Sequence, residues 1–403
     1  MVLFILIEYY LVVIIMKKFV FLFIIVFLII CFCSNTSSIG YVDYYYVYGN
    51  HLNIGGHING LNNPSLVFKS ETREIVIPII YDNGDFFVSS VINDGILLDS
   101  IPRDNFFVFL KDGNDYYSLV NNTKYNDISY YTISRGFNNI INIGFDDNMF
   151  VSSSVGSVYD GYYDIIIDPG HGGNDPGACF GDYCESSITL DLAYKLKDAL
   201  ELLGLKVGMT RYDDVNTSFY GDNSRTSLAY SSHAKFFISI HLNSTEGVMD
   251  HGGVEVYAPN NSDLGFASLL ANSIVSSSGS SYSINSSYRV MDGVYVRTFG
   301  DDDISVSNST CYNNGFLPYP VDLNTNYYFM IRETGGIMTG AFIDGRSGVK
   351  NMFYDSNIGV EAYLLELGYI NYSGDLDNIL NNSEKYIQGI VNAFSEKLGI
   401  EKD

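Results

Sequence analysis

Two histidines and two glutamates stand where apolar runs give way to loops. His171 follows "IIIDPG", His241 closes "FFISI", Glu366 closes "AYLL", and Glu185 precedes "SSITLDLAYKLKDALELLG". Two imidazoles and one carboxylate are a sufficient ligand set for a zinc ion that keeps one position open to water. Such an ion polarises a carbonyl and acidifies the water, and a second carboxylate can take the released proton. Glycines on both sides of His171 in "DPGHGGNDPG" allow a sharp turn and leave room beside the imidazole. Asp168 is placed to orient a ligand or simply to make a turn. Taken singly, each residue has an ordinary reading: His171 and His241 as loop histidines, Glu185 as an acid favoured by a helix dipole, Glu366 as an ion-pair partner of Arg332 or Arg225. A fold that brings all four to one sheet edge would make them a site.

The segments around them predict such an edge. From Asp164 onward, strand-like runs ("DIIID", "LKVGMTR", "KFFISIHLN", "GVEVYAP", "VEAYLLELGY") alternate with helix-like ones ("NSRTSLAYSSHA", "DLGFASLLANSIV", "SEKYIQGIVNAFSEKLGI"). In "SSITLDLAYKLKDALELLG", the first helix-like run of the region, Ile188, Leu192, Leu196, Leu200 and Leu203 recur at helical spacing, a Ser or Thr stands near its start, and Gly204 closes it. The pattern predicts an α/β domain over 164–400, a mixed, mostly parallel sheet flanked by helices. Functional groups then gather at the carboxyl ends of the strands. His233, between helix and strand, reads as structural, and His251 as a surface-loop residue.

Residues 41–152 differ in character. Short β-branched and aromatic runs such as "REIVIPIIY", "DFFVSSVI" and "NFFVFLK" are separated by Asn-Gly and Asp-Gly turns, predicting an all-β, immunoglobulin-like sandwich. A linker is expected at 153–163, and His51 and His57 read as ordinary loop or surface residues. Residues 1–38 read as a signal peptide or an N-terminal membrane anchor: Met16-Lys17-Lys18 leads into "FVFLFIIVFLIICFC". That run is shorter than the roughly 20 residues a spanning helix needs, which favours export. Outside the leader stand Cys179, Cys184 and Cys311; the first two can close a small disulfide loop or stay free, whereas a metal pair would lack a second pair of sulfurs. With 22 basic against 46 acidic residues the chain carries a formal charge of −24, which excludes an electrostatic footprint for nucleic acid.

In order along the chain, "IIIDPGHGGNDPGA", Glu185 before "ITL", "SIHLN", "GGVEVY" and "LLELGYIN" together resemble the zinc-dependent N-acetylmuramoyl-L-alanine amidases of the type-3 catalytic family. The resemblance covers about residues 163–400. It implies one Zn2+ per chain held by His171, Glu185 and His241, with Glu366 as the catalytic residue. Arg225 in "SRTSLAYSSHAKFF" matches a recurrent family arginine, and Asp168, Asn243 and Arg332 are further candidates for supporting the site. Peptidoglycan is the implied substrate, cut between N-acetylmuramic acid and L-alanine in wall remodelling, cell separation or lysis. The implied place of action is extracellular or the cell envelope, with membrane contact only through an uncleaved N-terminal segment. The β domain departs from the compact family pattern, as do residues 279–325 and 338–357, which read against it as insertions. The insertions could form a wall or lid of the substrate groove or an autoinhibitory cover, with a specificity rim the favoured reading. The β domain is a candidate for engaging an activator or targeting the wall. The alternative class is a non-catalytic envelope-binding or regulatory protein that retains the amidase fold.

Overall fold

Ile165, Ile166 and Ile167 are all fully buried, because the Ile165–Pro169 strand runs through the interior of a seven-stranded sheet covered on both faces. The computed structural model describes residues 39–134, 137–156, 160–219, 224–247, 250–300, 323–335 and 357–400. The leader 1–38, Cys311, residues 157–159 of the expected linker, and most of the expected insertions (301–322 and 336–356) lie outside the described residues.

Across the sheet the strands run Val207–Met209, Ile165–Pro169, Phe236–Asn243, Glu361–Tyr369, Glu255–Tyr257, Val294–Tyr295 and Arg289–Met291. The first four are mutually parallel, Glu255–Tyr257 is antiparallel to Glu361–Tyr369, and the last two form an antiparallel hairpin parallel to Glu255–Tyr257 at its inner strand. The sheet is therefore mixed and mostly parallel, in an α/β fold. On one face Ile165, Ile167, Ile238, Ile240 and Leu365 pack against the helices Glu185–Glu201, Gly265–Ser278 and Ser373–Leu398. The opposite face, with Ile166, Phe237 and Leu364, is covered by the short helices Ser227–Ser231 and Phe329–Gly335. Two helix boundaries depart from expectation. No side chain caps the first helix, whose cap position is Cys184, and the last helix starts at Ser373 because Leu376 and Ile379 extend its buried stripe past a kink at Asn382. No described helix is long and apolar enough to cross a membrane.

The described residues before the α/β region are all-β. Their strands form one continuous 13-stranded ladder, in which Gly40–Val42 pairs in parallel with Leu119–Asn121. Inward-facing Val42, Leu66, Phe68, Phe106, Val108 and Ile143 fill its core. The last strand, Asn148–Val155, pairs Val155 with Asn139, so it continues into the stretch expected to be linker. One strand of the ladder comes from the other region: Ile358–Gly359 pairs with Val47–Tyr48, immediately before the chain enters the central sheet.

Polar bonds reinforce that seam. The Asn93 amide donates to the Asp263 carbonyl (3.0 Å) and to the buried Glu361 carboxylate (3.2 Å), while its oxygen accepts the Asp263 N–H. Lys235 reaches Asp99 across the same boundary at 3.5 Å. Removing the amide leaves a buried carboxylate and a backbone N–H short of partners. Asn93→Ala should cost about 1–3 kcal/mol, read as a lower denaturant midpoint with an unchanged slope.

Candidate metal centre

The register of the parallel strands places the polar residues. Asp168 lies opposite Ser239, His241 opposite Glu366, and Glu366 in turn opposite Glu255. Side chains alternate along a strand, so Asp168, Ser239, His241, Glu366 and Glu255 all point to the face that carries Ile166, Phe237 and Leu364. His171 sits just past its strand with φ of 62°, a left-handed conformation that costs a non-glycine residue about 1–3 kcal/mol and marks a constrained position.

Glu185 enters from the other side, as the first residue of the helix that packs beneath the sheet. Its carboxylate lies between the two imidazoles, 3.1 Å from Nε2 of His171 and 3.0 Å from Nδ1 of His241, and accepts backbone N–H bonds from Leu242 and Ala178. The two rings stand edge to face with centroids 5.0 Å apart. One ligand atom from each of the three residues falls within 4.8 Å of the others, a group able to hold a metal ion. Glycines make this closeness possible. A Cβ on Gly170 would come 2.5 Å from the His241 ring, and one on Gly177 would come 2.7 Å from both Glu185 and His171. Cys179 and Cys184 form a disulfide across a two-stranded hairpin, which settles the fate left open for them; it fixes the loop that ends at Glu185.

Charge at the site is finely divided. Burial pushes the Glu185 carboxyl up, but hydrogen bonds from His171 and His241 and the charges of both imidazoles outweigh it and hold the carboxyl far below its usual range. Burial likewise lowers the His171 imidazole, and bonds to Glu185 and Asp175 more than reverse this. Glu366 has no such donor: burial first, then the charges of Glu185 and Glu255, raise its carboxyl well above 4.5. Its Oε2 and the Nε2 of His241 are buried without hydrogen-bond partners. Two unpartnered buried acceptors, a bridging carboxylate and a surplus of negative charge fit a divalent cation, and the nitrogen and oxygen donor set suits zinc.

The supporting candidates separate. Asp168 and Arg225 form a buried ion pair at 2.7 Å, and Arg225 also donates to the carbonyl oxygens of Pro169 and His171, so the pair anchors the turn beneath His171. Thr210 and Ser239 donate to the same Asp168 carboxylate. Asn243 lies two residues past His241 beside an open cavity, its side-chain oxygen engaged by the Ser244 N–H. Arg332 pairs with Glu333 and donates to the carbonyls of Asn326 and Tyr327. Neither arginine is therefore the partner of Glu366. His251 is exposed beside Asp250, and His233 packs on Tyr130 and Tyr131 of the β region.

Three contributors were missed from the sequence. Glu255 lay inside a strand motif, yet it is fully buried beside Glu366, bonded by the hydroxyls of Tyr257 and Tyr369. Asp175 bonds the outer nitrogen of His171 at 2.8 Å, orienting the ring. Arg211 donates to the carbonyls of Pro169, Gly170 and Ser186, tying the turn to the first helix. Asp175 had a signal, an acid four residues after a glycine-bracketed histidine; the other two had none.

Residues 165–306 match the family model described as N-acetylmuramoyl-L-alanine amidase. This segment belongs to that amidase family. Among curated relatives, the sporulation-specific N-acetylmuramoyl-L-alanine amidase of Bacillus subtilis (strain 168) is 42% identical over 85 residues, 21% of this chain and 32% of the relative. The germination-specific N-acetylmuramoyl-L-alanine amidase of the same strain is 37% identical over 91 residues, 20% of this chain and 38% of the relative. The chain thus spans about a third of the length of these two relatives. Among solved structures, the catalytic domain of CwlV, an N-acetylmuramoyl-L-alanine amidase from Bacillus (Paenibacillus) polymyxa var. colistinus, gives a TM-score of 0.39 at 21% identity, covering 59% of this chain and 98% of that one. The amidase-family segment contains His171, Glu185, His241 and Glu255, while Glu366 lies beyond it.

The Asp168–Arg225 pair gives a test of the site's foundation. Asp168→Ala leaves a buried guanidinium without a counter-charge and should destabilise the fold by about 3–5 kcal/mol, seen as a large drop in melting temperature.

Proposed function

We propose that this protein is a zinc-dependent peptidoglycan amidase that hydrolyses the bond between N-acetylmuramic acid and L-alanine. The observation that carries the reading is the convergence of His171, Glu185 and His241 on one point, with Glu366 abreast of His241 in the sheet. Those three residues would hold the ion. Bound there, zinc supplies Lewis acidity, polarising the scissile carbonyl and acidifying the attacking water. Asp175 keeps the His171 ring turned toward the site, and the Arg225–Asp168 pair keeps the turn beneath it rigid. Glu366 takes the proton of the attacking water on its unpartnered oxygen. It then passes that proton to the departing amine nitrogen.

The segment 1–38 would export the chain to the wall, either cleaved as a signal peptide or kept as an anchor. The residues expected as 41–152 would form an immunoglobulin-like accessory domain, for targeting or for an activator, joined by 153–163 to a catalytic domain over 164–400. The disulfide suits an oxidising, extracytoplasmic compartment.

Glu366→Gln should lower kcat on purified sacculi by about 10^2- to 10^4-fold while leaving zinc content at that of the parent protein. His241→Ala should lose the zinc itself, and a chelator should abolish release of stem peptides. Parent-like cleavage by Glu366→Gln would overturn the assigned mechanism.

Acid should weaken metal binding early. Zinc requires a neutral imidazole, and in the metal-free protein Glu185 and Asp175 hold His171 above its ordinary 6.5. Loading must then displace a proton at any pH below that raised value. Zinc affinity, measured by competition with a chromogenic chelator, should fall about tenfold per pH unit on the acid side and level off above it.

A further inference from the structure

A cavity of about 510 Å3 opens beside the metal centre, lined in part by Asn243, Tyr257, Tyr288, Arg297, Tyr328 and Tyr369. It continues the site physically. Asn243 is two residues past His241 on the same strand, Tyr257 is two past Glu255, and Tyr328 is close enough to Glu366 to feel its charge.

Arg297 is the cation of this cavity. Its guanidinium stacks on Tyr327 at 3.5 Å from the ring centroid, with Tyr288 and Tyr328 further out at 5.1 and 5.7 Å. The Nε is buried and has no hydrogen-bond partner, and among the described residues no carboxylate pairs with Arg297. Some arginines of the chain are paired and others, such as Arg211, bond only neutral groups. Arg73, Arg225 and Arg332 each meet a carboxylate, as expected where 46 acids surround 22 bases. Aromatic rings hold a guanidinium in place without using up its donors, and a planar fork of N–H groups matches a carboxylate. Arg297 is thus positioned by the rings and by a hydrogen bond with Tyr328, and it meets no carboxylate among the described residues.

We propose that this cavity is a carboxylate-binding subsite in which Arg297 recognises a free carboxylate of the peptide whose amide bond is cut. The inference rests on the amidase reading and deepens it: the segment 282–297, which adds the Arg289–Met291 and Val294–Tyr295 hairpin to the sheet edge, makes peptide charge part of substrate choice. Asn243 offers a neutral hydrogen-bonding amide along the cavity wall.

The test compares two probes, N-acetylmuramoyl-L-Ala-D-Glu with both carboxylates free and the same molecule with both amidated, on the zinc-loaded full chain. The parent protein should prefer the diacid by about 10- to 100-fold in KM, with similar kcat. Arg297→Gln should raise the diacid KM to that of the diamide, with zinc content and melting temperature unchanged, and Arg297→Lys should recover part of the preference. A parent protein that does not distinguish the probes, or an Arg297→Gln variant that keeps the parental preference, overturns the subsite. If the parent cleaves neither probe, the amidase reading fails by itself. Calorimetric titration with the same pair then decides the subsite separately: a Kd difference that Arg297→Gln abolishes supports it, and equal Kd values in the parent overturn it.

Discussion

Strand register is the constraint on which the site depends. His241, Glu366 and Glu255 stand abreast on neighbouring strands, and Asp168 lies one row below on the same face. A slip of one residue anywhere in that ladder would turn an imidazole or a carboxylate into the helix-covered core. The apolar residues on the opposite face prevent this. Ile165, Ile167, Ile240 and Leu365 are buried against three helices, so register and core packing enforce one another.

The second constraint is electrostatic. Three carboxylates, from Glu185, Glu255 and Glu366, converge in a buried region of a strongly acidic chain. Each is handled differently. Glu185 is held ionised by two imidazoles and two backbone N–H groups, and Glu255 is bonded by tyrosine hydroxyls, while Glu366 is left with an unpartnered oxygen. The Glu185 and Glu366 carboxyls are thereby shifted in opposite directions by their surroundings alone. Below them, Arg211 and Arg225 spend their donors on the carbonyl oxygens of 169–171 and on Asp168. They hold the strained turn in place beneath His171.

The α/β and all-β regions are coupled rather than strung together. A strand of the β ladder, Ile358–Gly359, is the lead-in to the strand that bears Glu366, and Asn93 binds both Asp263 and Glu361. A load on the β region therefore bears on the strand that carries the proposed proton acceptor, through the single connecting residue Val360 and a buried amide.

The sequence alone determined the elements and the chemistry-bearing residue types. Alternating apolar runs specify buried strands and amphipathic helices, and residues such as His171, Glu185, His241 and Glu366 stand at their ends by local order along the chain. That Cys179 and Cys184 are close enough to bond was also within reach, since only four residues separate them. Tertiary structure decided the rest. Glu255 read as one more strand residue until an antiparallel neighbour set it against Glu366, and Arg211 until the end of the Val207–Met209 strand brought it beside the glycine turn. The partners of Arg225 and Arg332, and the borrowing of Ile358–Gly359 by the β ladder, likewise depend on contacts between segments far apart in the chain. Periodicity records which face a residue takes; it carries no information about which strand becomes its neighbour, and it is the neighbour that makes a carboxylate a ligand, a base or a buried anchor.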